Sequence, residues 1–152
     1  MDIELYSAEP ADFDALVEIW EAAVRATHHF VSEADIQMLK PLIRDQYLQA
    51  VTLIVAHDNR RVAKGFLGYA EGKVEMLFVA PEYHGSGIGK RLLSHAVRVL
   101  GASAVDVNEQ NPAALAFYAS QGFEVIRRSP LDGGGRPFPI LHMALAGSAH
   151  SG

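Results

Sequence analysis

The 152-residue chain has no cysteine. That excludes a disulfide, a thiolate metal site and a cysteine nucleophile. It also lacks any run of about 18 apolar residues, the length needed to cross a bilayer, so no membrane partner is expected. It has no basic tract. Its 13 Lys and Arg are outnumbered by 18 Asp and Glu, for a net charge of −5. Nucleic acid is therefore discounted as a partner, because phosphate contacts require clustered Lys and Arg. The opening Met1-Asp2-Ile3-Glu4 is acidic and strand-like and lacks the basic-then-apolar pattern of a secretory signal. Together with the missing cysteines this points to the cytoplasm. A charge of −5 serves mainly solubility, with a mild preference for basic partners.

What remains is an ordinary globular composition, 49% hydrophobic and 20% charged. The length suits one domain, expected over residues 1–146, with 147–152 as a polar, disordered tail. No internal repeat or linker is visible.

Ile3 to Ser7 reads as a strand. Glu9-Pro10 opens a helix in which Phe13, Leu16, Val17, Trp20, Ala23 and Val24 recur at helical spacing. Ser32-Glu33-Ala34-Asp35 has the form of a capping box for a second helix, in which Pro41 predicts a kink or restart. Thr52 to His57 and Val62 to Ala70 are β-branched or apolar runs joined by Asp58-Asn59-Arg60-Arg61, a hairpin turn. Glu71-Gly72 turns into a strand from Val74 to Val79. A third helix is predicted from Gly87 to Leu100, then a strand from Ala102 to Val107. Asn111-Pro112 caps a fourth helix that Gly122 ends. Strands at Phe123 to Arg128 and Pro139 to Leu145 flank a long glycine-containing loop. The order β-α-α-β-β-β-α-β-α-β-β predicts an α/β fold: a mixed sheet with helices on both faces.

The stretch from Glu75 to Lys90 carries the most chemistry. A buried strand runs into His84-Gly85-Ser86-Gly87-Ile88-Gly89-Lys90, which opens a helix. Glycines let backbone approach an anion, and the helix dipole favours negative charge there. A P-loop is excluded, because Arg91 stands where its hydroxyl residue belongs and the spacing from Gly85 is one residue short. The Rossmann fingerprint fails because Lys90 takes the place of its last glycine. Arg/Gln-x-x-Gly-x-Gly/Ala fits from His84 to Gly89 in all but its first residue.

That segment resembles the acetyl-CoA-binding motif of the GNAT superfamily of N-acetyltransferases. A second stretch, from Asn111 through Tyr118 to Gly122-Phe123, resembles the family's Asn-x-x-Ala-x-x-Phe-Tyr-x-x-x-Gly-Phe motif. The resemblance implies a GNAT fold, with a mostly antiparallel sheet of about seven strands flanked by four helices. It implies that the fourth and fifth strands splay, and that the pantetheine arm of acetyl-CoA lies in the gap like an added strand. It implies no metal, and an amine acceptor, either a small molecule or a protein amino group. The chain is then a monomer or homodimer.

The resemblance also distributes roles. His84, Gly85, Ser86, Gly87, Ile88, Gly89 and Lys90 would hold the cofactor's pyrophosphate, with His84 supplying less charge than the usual arginine. A backbone N–H near Phe78 or Val79 would polarise the thioester. Asn111 caps the fourth helix and reaches the cofactor. Tyr118 would protonate the departing thiolate. The general base is Glu75 or Glu109. By strict alternation Glu75 shares a face with Leu77 and Val79, and burial there would raise its pKa, whereas Glu109 lies in a polar loop. His28, His29 and Phe30 would wall the acceptor site, and Arg136 to Pro139 would close its other side. Two histidines without an acid cluster make no metal site. The chemistry is direct N-acetyl transfer in a ternary complex. The alternative is a GNAT-like module that binds acyl-CoA without transferring it.

Overall fold

The computed structural model describes residues 2–27 and 31–146. The expected tail, 147–152, lies outside the described residues, as do His28, His29 and Phe30.

The chain runs β1 (Glu4–Ser7), α1 (Phe13–Thr27), α2 (Glu33–Leu42), β2 (Thr52–His57), β3 (Ala63–Ala70), β4 (Lys73–Val79), α3 (Ile88–Arg98), β5 (Ala104–Asn108), α4 (Pro112–Ser120), β6 (Phe123–Ser129) and β7 (Ile140–Leu145). The strands form one sheet in the order β1-β2-β3-β4-β5-β7-β6. Every neighbouring pair is antiparallel except β4 and β5. The predicted order and fold class therefore hold.

Local differences have local causes. Pro10 begins a 3₁₀ turn, Pro10–Asp12, and α1 starts after it. Ser32 caps α2 by accepting from the Asp35 backbone at 3.1 Å. Pro41 does not break α2. The helix instead loosens into a π turn at Ile43–Tyr47, so the expected kink takes the form of a change in helix type. Helix α3 starts one residue later than predicted, because Gly87 is its left-handed N-cap.

Two cores lie on opposite faces of the sheet. Leu16, Trp20, Val55 and Phe66 belong to one, under α1 and α2. Leu67, Leu92, Val105 and Met143 belong to the other, under α3 and α4. Adjacent residues Phe66 and Leu67 point to opposite cores, as a fully buried strand requires. Burying each of these side chains contributes about 1.5–3 kcal/mol.

Candidate active site

Strands β4 and β5 meet only at their starts, with register pairs Lys73↔Ala104 and Val74↔Val105. Beyond these β4 continues to Val79 and β5 to Asn108 with no pairing between them. The splay is thus present, and it opens a wedge of about 120 Å³ whose lining includes Val74, Phe78, Val107, Asn111, Ala114 and Tyr118.

A second, larger cleft of about 550 Å³ lies between the N-terminal helices and the β6–β7 loop, with Trp20, Val24, Met38, Arg136, Phe138 and Ile140 among its walls. Phe78, Asp106 and Asn108 line both clefts. These residues mark where the two spaces meet.

The glycine-rich turn stands at the end of β4. Gly85 and Gly87 have φ of 81° and 90°, the left-handed region where a side chain is strained. No side chain caps α3 at Gly87. The first-turn N–H groups have no intrahelical acceptor, an arrangement that suits an anion. His84 turns back on the strand, its Nε2 lying 2.9 Å from the Val79 carbonyl. Its ring therefore braces the turn. Ser86 likewise closes on the loop, donating its hydroxyl to the Tyr83 carbonyl.

Asn111 caps α4, accepting from the Ala114 backbone at 3.1 Å. Two turns on, Tyr118 is buried among Phe117 and Phe123, with ring centroids 5.2 and 5.8 Å away. No hydrogen bond among the described residues involves its hydroxyl, and since no buried polar side-chain atom there lacks a partner, that oxygen is open to the wedge Tyr118 lines. Burial raises its pKa above the ordinary phenol value, so the group stays protonated at neutral pH.

The two expected bases are placed differently from expectation. Glu75 is exposed, and its nearest cation is Lys73 at 3.9 Å. The cause is a β-bulge. Gly68 pairs with Met76 and Tyr69 with Val74, leaving Glu75 without a partner. The extra residue resets the alternation. Val74, not Glu75, shares the core of Leu77 and Val79. The burial that was to raise the Glu75 pKa is absent. Glu109 is held by Arg128 in a two-pronged pair, Nε–Oε2 2.6 Å and Nη2–Oε1 3.0 Å. These bonds hold its carboxyl below the usual range, which opposes service as a base.

Of the expected acceptor wall, His28, His29 and Phe30 lie outside the described residues. Val24 and Val31, on either side of them, do line the larger cleft. Arg136 and Phe138 line it too, and Arg136 reaches Asp35 on α2 at 3.3 Å.

Sequence reasoning missed a polar row across the open half of the sheet. Lys73 lies 2.5 Å from one Asp106 oxygen, His142 Nδ1 is 2.7 Å from the other, and Ser129 Oγ is 2.7 Å from His142 Nε2. For Asp106, burial acts upward, but Lys73 and His142 prevail and hold the carboxyl below its usual value. Its signal was a polar residue between apolar neighbours: Asp106 between Val105 and Val107, and His142 between Leu141 and Met143.

Comparison with known proteins adds to this geometry. The family model for the acetyltransferase (GNAT) domain matches residues 49–125. The peptidyl-lysine N-acetyltransferase YjaB of Salmonella typhimurium is 35% identical, the match covering 94% of this chain and 98% of that protein. The solution structure of apo-form YjaB from Escherichia coli superimposes with a TM-score of 0.88 at 35% identity, covering 97% of this chain and 99% of that one. The PaiA N-acetyltransferase of Thermoplasma acidophilum, in complex with coenzyme A, shares the fold with a TM-score of 0.72 at 24% identity, covering 93% and 98%.

Proposed function

Because the chain belongs to the GNAT acetyltransferase family and is an acyltransferase, we propose that it moves an acetyl group from acetyl-CoA directly to a lysine amine of a protein or peptide. The observation that carries this reading is the meeting of two clefts at Phe78, Asp106 and Asn108, with Tyr118 in the wall of one of them. A wedge beside a bare strand edge suits the extended, amide-bearing arm of the donor. The larger cleft suits a side chain delivered from outside.

The coenzyme A held by the PaiA neighbour supports acetyl-CoA as the donor. The turn from His84 to Lys90 would receive its pyrophosphate on backbone N–H groups, with the left-handed glycines keeping the approach clear. A β4 backbone N–H at Phe78 or Val79 would stabilise the oxyanion. Tyr118 would protonate the departing sulfur, because its hydroxyl is neutral, unengaged and at the wedge. Holding amine and thioester together supplies much of the acceleration.

Lysine as acceptor rests on the names of the YjaB relatives and on charge. Asp35, Asp106 and Asp132 line the larger cleft; Arg136 pairs with Asp35 and Lys73 with Asp106, so Asp132 is the one of the three without a cation among the described residues. An ammonium is therefore favoured at its floor. The non-transferring alternative is not favoured, since these relatives are named as transferases.

The test is coenzyme A release, followed by thiol detection, with acetyl-CoA and a lysine peptide. A second peptide has its lysine replaced by norleucine and its N-terminus free. Release with the lysine peptide alone is expected. Equal release with both overturns lysine as the acceptor. No release with either overturns the transfer reading. Thermal melts give a separate check on the donor. Acetyl-CoA at 100 times its dissociation constant should add about 2.7 kcal/mol, with no gain from ATP or NAD.

A further inference from the structure

The acceptor arrives as an ammonium and must lose a proton before its nitrogen can attack. Glu75, exposed on a bulge, lines the wedge but not the larger cleft, and Glu109, clamped by Arg128, lines neither. Asp106 lines both, and among the described residues it is the one titratable residue that does. It is a poor proton acceptor itself, because Lys73 and His142 already stabilise its anion. Its partner is better suited. Asp106 and His142 are register partners on β5 and β7, and their side chains, 31% and 18% exposed, meet at 2.7 Å.

We propose that His142, oriented by Asp106, takes the proton from the acceptor ammonium, a role that rests on the transferase reading above. Asp106 accepts from Nδ1–H, which fixes the tautomer and leaves Nε2 as the basic nitrogen. The neighbour of Nε2 is the Ser129 hydroxyl at 2.7 Å, a group that both donates and accepts. The ammonium is drawn to Asp106. One proton passes through water and the Ser129 hydroxyl to Nε2, giving an imidazolium beside a carboxylate. The freed lone pair forms the C–N bond as the C–S bond breaks, and Tyr118 protonates the sulfur. The second nitrogen proton, lost as the amide forms, replaces the one Tyr118 gave. The imidazolium then releases its proton to solvent.

The charged groups beside the ring are Asp106 on β5 and, through it, Lys73 on β4; Arg127 on β6 is the register partner of His142. Lys73 lies 2.5 Å from the Asp106 oxygen that does not face the ring. Asp106 and Ser129 are positioning residues, and His142 is the proton acceptor.

The experiment measures steady-state coenzyme A release with acetyl-CoA and the lysine peptide from pH 6 to 10. It uses the wild type, His142→Gln, Asp106→Asn and Ser129→Ala, with acetyl-CoA affinity determined by calorimetry. His142→Gln should lower kcat and kcat/KM for the peptide about 100-fold near neutrality. Acetyl-CoA affinity should stay the same. The deficit should shrink towards pH 10, where free lysine amine becomes abundant at a pKa of about 10.4. Asp106→Asn should reproduce the loss, and Ser129→Ala a smaller one. Imidazole ¹⁵N spectra keep the proposal testable if a variant folds poorly. The neutral wild-type His142 ring should carry its proton on Nδ1, and a ring protonated on Nε2 instead overturns the proposal. Wild-type turnover matched by His142→Gln at every pH also overturns it and leaves the transferase reading intact. Absence of turnover by the wild type overturns both.

Discussion

Removing the Tyr118 hydroxyl separates chemistry from packing with little else disturbed. The ring is buried, and its edge contacts with Phe117 and Phe123 involve only carbon. The hydroxyl has no hydrogen-bond partner among the described residues, so Tyr118→Phe breaks no native bond. A change that leaves core volume and hydrogen bonds intact alters stability by no more than about 0.5 kcal/mol. The catalytic loss should be far larger. Positioned general acids contribute about 10²–10⁴-fold, so kcat and kcat/KM should fall together by at least about 100-fold, or about 2.7 kcal/mol of barrier. Acetyl-CoA affinity should stay within a factor of two or so, since the hydroxyl acts on a charge that forms only as the C–S bond breaks. A stability signature accompanies this. Burial raises the folded-state pKa of Tyr118 above the unfolded value of about 10. The folded state therefore holds its proton longer, and stability is lost as pH rises through the unfolded value. The wild type should lose stability above about pH 10, and the phenylalanine variant should lose less. Thiol-release kinetics, calorimetry and melts across pH make the comparison. Wild-type turnover in Tyr118→Phe would remove the residue from the mechanism.

Gly87→Val should weaken coenzyme A binding at least tenfold while the protein stays folded. A Cβ there meets nothing within 4 Å, so the cost is the left-handed φ of 90°, about 1–2 kcal/mol, together with obstruction of the anion path. Calorimetry against coenzyme A decides, and unchanged affinity would make the loop a mere turn. Glu109→Gln should leave turnover near wild type but remove a pH-dependent contribution to stability. Arg128 depresses the Glu109 pKa, so that contribution is present above the unfolded value of about 4.3 and fades as pH falls through the folded one. Acid melts of both proteins test this, and a variant with lost turnover but unaltered acid stability reverses the assignment. Arg136→Ala should raise KM for the peptide severalfold with kcat little changed, since it releases the 3.3 Å tie between the β6–β7 loop and α2 across the larger cleft. A fall in kcat alone would contradict that role.

Much of the fold was legible because its signals are local. Apolar spacing marked α1, the Ser32 cap marked α2, and Gly101 and Gly122 marked helix ends with φ of 77° and 94°. The glycine-rich turn was legible for the same reason, since its pattern lies within seven consecutive residues. What escaped depends on register. The alternation argument for Glu75 counted residues along β4, and the bulge at that residue voids the count beyond it. Asp106 and His142 are 36 positions apart, and Asp35 and Arg136 are 101 apart. Nothing short of strand pairing brings either pair together. Glu109 looked like a free loop carboxylate because Arg128 approaches it from another strand.

The seam between β4 and β5 has a mechanical side. Joined by two register pairs, β1-β2-β3-β4 and β5-β7-β6 are nearly two separate sheets hinged at one corner. Each half has its own ladder and its own helices, so the halves can differ in resistance to local opening. The β4 amides beyond Val74 that face the wedge have no strand beside them and should exchange hydrogen quickly in the free protein. A ligand lying along that edge would act as a removable splint, slowing exchange there and tying the two half-sheets into one cooperative unit.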